Sequence, residues 1–145
     1  FRLSGNPGGL VFPPPAAPLR TDGLWRHTCF EAFVAAADSP EYWEFNFSPS
    51  LAWAAYHFTG YRAGMQPVAE AGAPAISVSP GAAEYILAVT LDIGWLLRLR
   101  AGSALRLGLT AVIEDHVQGL SYWALKHVAE KPDFHRADSF LVSLT

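Results

Sequence analysis

Between residues 23 and 65 three runs rich in aromatic and small apolar residues, CFEAFVA, YWEFNF and AWAAYHF, are cut apart by Asp38-Ser39-Pro40 and Ser48-Pro49-Ser50. Short apolar runs bounded by Pro, Ser and Asp predict three consecutive β-strands. Side chains in a strand alternate between faces, so YWEFNF splits into Trp43, Phe45 and Phe47 on one side and Tyr42, Glu44 and Asn46 on the other. The first run splits likewise into Cys29, Glu31 and Phe33 against Phe30, Ala32 and Val34. Glu31, Glu44 and Asn46 therefore fall on same-side positions amid aromatic rings. Carboxylates and an amide in such a setting suit a site for a sugar or another polyol. They would equally suit a satisfied polar spot inside a β-sandwich.

The rest of the chain predicts more strands and almost no helix. Residues 1–5 and 10–12 look like the two arms of a hairpin around Asn6-Pro7-Gly8-Gly9, and the opening inside a strand suggests that a segment precedes Phe1. Residues 13–18, PPPAAP, cannot donate to a ladder and predict an extended crossover. Residues 60–80 read as a long loop with one short strand at 76–79, and residues 84–91 as a strand with Tyr85, Leu87, Val89 and Leu91 on one side. Asp92 could cap a helical turn over 93–97. LRLGLTAVIE at 105–114 and LSYWAL at 120–125 predict a hairpin, and FLVSL at 140–144 closes the chain. Eight to ten short strands with turns every 8–12 residues, on 145 residues, predict one all-β antiparallel sandwich domain.

Several function classes lack support. A net charge of −3 without a Lys/Arg cluster argues against nucleic acid. No apolar run approaches the roughly 20 residues of a membrane span. The single cysteine, Cys29, excludes an internal disulfide framework and fits a reducing, cytoplasmic setting. Phosphate loops, dinucleotide fingerprints, CxxC pairs, HExxH and GxSxG are all missing from the sequence. The five histidines form no pair at metal-ligand spacing, so no metal site is expected.

Three candidate chemistries remain. Aromatic residues make up 13% of the chain, more than a plain core needs, and indoles at the mouth of a sheet can stack on a sugar face. Trp25, just before the first central strand, and Trp123, in LSYWAL, are the candidates, whereas Trp43 and Trp95 sit among apolar neighbours and read as core. Met65, the only methionine, could ligate a haem iron together with a distant histidine. Glu31 and Glu44 on adjacent strands could also form the carboxyl pair of a glycan-processing enzyme; in the non-catalytic alternative one of them bonds Arg62 or a backbone amide and the other accepts from a ligand hydroxyl.

The blocks LWRHTCFEAF, YWEFNFSPS, LRLGLTAVIED, LSYWAL and PDFHRADSF together resemble the bacterial DOMON-like domain proteins, related in fold to the family 9 carbohydrate-binding modules. The resemblance spans residue 23 to the C-terminus. It implies a β-sandwich that binds a sugar or haem in a pocket on one sheet. In the sugar-binding modules a Trp precedes a V-E-V-F-type strand whose Glu holds a sugar hydroxyl; Trp25 and Glu31 stand at those positions with the same spacing. Those modules carry an Arg and an Asn two apart on the next strand, where this chain has Glu44 and Asn46, so the Asn carries over and a charge is reversed. Trp123 corresponds to a second stacking Trp by order along the chain. The resulting expectation is a non-catalytic module that binds a small polar ligand, most simply a saccharide, through Trp25, Glu31, Glu44, Asn46 and Trp123. A haem-binding domain using Met65 and an enzyme using Glu31 and Glu44 are the alternatives.

Overall fold

The computed structural model describes residues 1–144 and is an all-β antiparallel sandwich with one short helix. The three central runs become β2 (Cys29–Ala36), β3 (Tyr42–Phe47) and β4 (Trp53–Phe58). They pair antiparallel with Glu31 opposite Asn46 and Asn46 opposite Ala54. The long C-terminal hairpin, β8 (Leu105–Asp115) and β9 (Gly119–Ala124), joins this sheet through β8, which lies beside β2. With β5 (Gln66–Pro67) at one edge and β10 (Val142–Leu144) beside the start of β8, the large sheet runs β10-β8-β2-β3-β4-β5 with β9 continuing the β10 edge.

The second sheet is small, ordered β1-β7-β6 from Arg2–Ser4, Glu84–Thr90 and Ala75–Pro80. Here the expected N-terminal hairpin is corrected. β1 pairs with β7, while Leu10 bridges Asp115 in the other sheet. The Asn6–Gly9 stretch, a 3-10 turn with the Asn6 side chain accepting from the Gly8 amide, carries the chain from one sheet to the other. Residues 60–80 are likewise more ordered than a loop, holding β5 and all of β6. Asp92 accepts from the Gly94 amide, and the helix it precedes, α1 (Gly94–Leu99), tucks Leu96 into the core.

Between the sheets lie Phe30, Val34, Trp43, Phe45, Phe47 and Trp53 from the large sheet, against Tyr85 and Leu87 from the small one. The other face of the large sheet is covered as well. Phe33, Tyr42, Tyr56, Phe58 and Val112 form a second apolar layer there, under Phe134 and Phe140 of the C-terminal segment and beside Leu24 and Trp25. Gly108 makes that cover possible. A Cβ at this position would stand 2.5 Å from Phe140 Cδ1, so only glycine lets the Phe140 ring settle on the sheet, where it stacks on Phe33. β3 is therefore buried on both sides along its whole length.

Candidate functional site

The strand register of the large sheet builds the site one row at a time. On the outer face one row runs Thr110, Glu31, Asn46, Ala54 and the next runs Gly108, Phe33, Glu44, Tyr56. Glu31 and Glu44 are thus diagonal neighbours on β2 and β3, and both line a cavity of about 380 Å³. Asn46 lies under them, fully buried. The three same-face polar residues expected from alternation come together in one patch.

Each carboxylate has a single hydrogen-bond donor among the described residues. The Thr110 hydroxyl donates to Glu31 Oε2 at 2.8 Å, and Asn46 Nδ2 donates to Glu44 Oε1 at 2.7 Å. The Asn46 carbonyl oxygen accepts from the Cys29 thiol, which fixes the amide so that its nitrogen faces Glu44. Burial raises the pKa of Glu31 to about 8, with the neighbouring charge of Glu44 adding to the effect and Thr110 opposing it. Burial also raises Glu44, against the pull of Asn46 and Arg62. Cys29 is pushed up by burial and by the same carboxylates, so it remains a thiol.

His135 stands over the pair, with Nε2 4.0 Å from Glu44 Oε2. Burial drives its pKa down to about 4, so the imidazole is neutral. Its tautomer follows from Tyr42. The Tyr42 hydroxyl accepts from the Arg62 amide at 3.2 Å and lies 2.7 Å from His135 Nδ1, so the phenolic proton goes to Nδ1 and Nε2 carries the ring hydrogen. Arg62 is aimed elsewhere than the sequence suggested. It bonds Asp133 at 2.9 Å rather than either glutamate, and the Tyr61 hydroxyl donates to the same Asp133 carboxylate. These contacts tie the loop around residues 60–65 to the segment around 132–135 across the cavity mouth.

The walls are aromatic. Trp25, held edge-on against Tyr56 at 5.9 Å, lines the cavity together with Phe58, Tyr122 and Phe134. Trp123 is a correction. It pairs opposite Ala111, whose side chain faces the inter-sheet core, so it points away from the carboxylate face and is 62% exposed; its neighbour Tyr122, opposite Val112, takes the wall position. Sequence reasoning also missed Thr110, Phe134 and His135. Thr110 lies on the parity of its run opposite the leucines, and residues 132–136 have no strand or helix period that would place Phe134 and His135.

Met65 lines the cavity with His135, which bears on the haem alternative. The group does not fit the residues present. The His135 nitrogens face Tyr42 and Glu44, and a flat apolar macrocycle laid on this floor would leave two buried carboxylates with one donor each. Among the described residues no group of three or more metal-ligating side chains occurs. Nor is any described helix long and apolar enough to cross a membrane.

Searches against family models and curated proteins return no match. A crystal structure of a "putative carbohydrate-binding protein" from Bacteroides uniformis has a similar fold, with a TM-score of 0.58 at 14% identity over 88% of this chain. The chain spans 65% of that protein's length. The likeness is one of fold and does not single out the DOMON superfamily.

Proposed function

We propose that the cavity on the outer face of the large sheet binds a small polar ligand, a saccharide, without transforming it. One observation carries this reading: buried acceptor groups, Glu31 and Glu44, form the floor of a cavity of about 380 Å³ whose walls are Trp25, Phe58, Tyr122 and Phe134. A ring with one apolar face and a rim of hydroxyls fits such a mix, since the aromatics take the face and the carboxyls accept from the hydroxyls. The fold shared with a protein described as carbohydrate-binding supports it. Stacking and a few hydrogen bonds correspond to affinities on the order of micromolar to millimolar.

The enzyme alternative keeps its geometry, because both carboxyls face one cavity. What speaks against it is their electrostatics. Acid–base pairs work when their surroundings push two pKa values apart, so that one group is protonated and the other ionised. Here burial raises both, and the two groups that favour an ionised Glu44, Asn46 and Arg62, do not offset its desolvation. Titration of Trp fluorescence with mono- and disaccharides tests the binding reading. A saturable response that weakens in Trp25→Ala supports it. Product formation that disappears in Glu44→Gln would replace it with the enzyme, and a Soret band in the purified protein would replace it with haem binding.

A further inference from the structure

A neutral sugar would bring no positive charge to the two carboxyls on the floor of this cavity. Glu31 is 3% exposed and Glu44 5% exposed and both line the cavity, yet each receives one hydrogen bond, from Thr110 and Asn46, and the second oxygen of each has no hydrogen-bond donor among the described residues. Buried carboxyls are normally matched by a cation or by several donors. Among the described residues the one cation near the pair, Arg62, acts on Glu44 through its charge alone and spends its hydrogen bond on Asp133. β2 offers the Cys29 thiol, β3 the Tyr42 phenol, β4 Tyr56 and β9 Tyr122; the loop offers Arg62, whose guanidinium is bonded to Asp133, and the C-terminal segment offers a neutral His135. Among the described residues no lysine lines the cavity. The walls, in contrast, present aromatic faces, which attract cations.

Resting on the saccharide reading, we propose that the ligand carries a protonated amine: a saccharide with a free amino group, its ammonium between Glu31 and Glu44 and its ring against Trp25 and Tyr122. An ammonium has three donors and no acceptor, and so matches two carboxyl oxygens that lack donors. Acetylation of that amine would remove the charge and add bulk at the floor. Binding would also ionise Glu31, which is largely protonated at neutral pH in the free protein, so the ammonium displaces a proton into solvent.

The test is a Trp fluorescence titration at pH 7 with D-glucosamine, N-acetyl-D-glucosamine, D-glucose and cyclohexylamine. Glucosamine should bind at least tenfold tighter than the other two sugars, and Glu31→Gln or Glu44→Gln should each erase that preference. Equal or tighter binding of glucose or N-acetylglucosamine overturns the amine and leaves the saccharide reading standing. Equal binding of glucosamine and cyclohexylamine, with the other sugars silent, overturns the saccharide and leaves the ammonium site. Silence from all four probes overturns both. Should either Gln variant fail to fold, calorimetry on the unaltered protein at pH 6, in two buffers of different ionisation enthalpy, decides the placement. Glucosamine binding with proton release supports it, and binding without release overturns it.

Discussion

The Tyr42 hydroxyl and His135 Nδ1 meet at 2.7 Å across 93 residues of chain, and this contact anchors the C-terminal cover to the large sheet. Tyr42 can donate there because burial keeps it protonated, with its pKa raised to about 12. Tyr42→Phe removes that donor and the acceptor of the Arg62 amide together. A loss of about 1–3 kcal/mol is expected, the range for orphaning a partly buried polar group. Urea denaturation reads it, and a midpoint within error of the parent would show that the contact does not hold the cover in place.

His135 also sets a pH dependence. Its folded pKa, about 4, lies below the ordinary value of 6.5, so between those limits the unfolded chain binds the extra proton. Stability contributed by the neutral ring is complete above pH 6.5 and is lost as pH falls towards 4, with a slope of at most about 1.4 kcal/mol per pH unit. His135→Gln removes this component. Denaturation midpoints between pH 4 and 7 should fall less steeply in the variant, and parallel curves would refute a buried neutral imidazole.

Glu31 acts in the opposite sense. Its folded pKa of about 8 lies above the ordinary 4.5, so the folded state holds a proton that the unfolded chain has released. The associated stability is complete below pH 4.5 and is lost as pH rises towards 8. Glu31→Gln mimics the protonated form at every pH. It should be nearly neutral at pH 5 and stabilise by about 1–3 kcal/mol at pH 8.5, measured as the difference between the two unfolding free energies. A destabilised variant at pH 8.5 would mean that the ionised carboxylate is better accommodated than its single donor, Thr110, suggests.

The positions of the two glutamates were legible because a period of two is enough to place Glu31, Glu44 and Asn46 on one face, and a one-residue slip would have dispersed them. The cover over that face was signalled only indirectly. Tyr42 and Phe33 share the polar parity, so both sides of β2 and β3 carry large apolar groups, and such strands need burial on both faces. Which segment supplies the burial could not be read, because residues 132–140 have no strand or helix period. Trp123 was misplaced for a related reason. Its face depends on how many residues the turn between β8 and β9 absorbs, and order along the chain does not fix that register. The N-terminal hairpin failed because two adjacent short strands with a turn between them can each find a better edge elsewhere, β1 on β7 and Leu10 on Asp115.

Gly108 tests the cover from below. Its α-hydrogen faces the Phe140 ring, 2% exposed and stacked on Phe33 at 5.7 Å between centroids. Gly108→Ala drives a methyl into that ring, and the cost expected for overpacking a tight contact is about 1–3 kcal/mol. The displacement should also reach His135, five residues earlier on the same segment, and change its NMR titration. A variant as stable as the parent would show that residues 134–140 lie less tightly on the sheet than the ring contacts indicate.

The two faces of β9 separate the wall from its neighbour. Tyr122 lines the cavity opposite Val112, while Trp123 stands opposite Ala111 on the other side of the strand. Stacking on one aromatic ring is worth about 0.5–1.5 kcal/mol, or roughly two- to twelvefold in affinity. Tyr122→Ala and Trp25→Ala should each weaken saccharide binding by that factor, and Trp123→Ala should leave it unchanged. Because Trp123 and Trp25 both contribute to the fluorescence signal, affinity is best read by calorimetry. If Trp123→Ala weakened binding and Tyr122→Ala did not, the ligand would be lying outside the cavity on the exposed edge of the hairpin, and Glu31 and Glu44 would have no part in holding it.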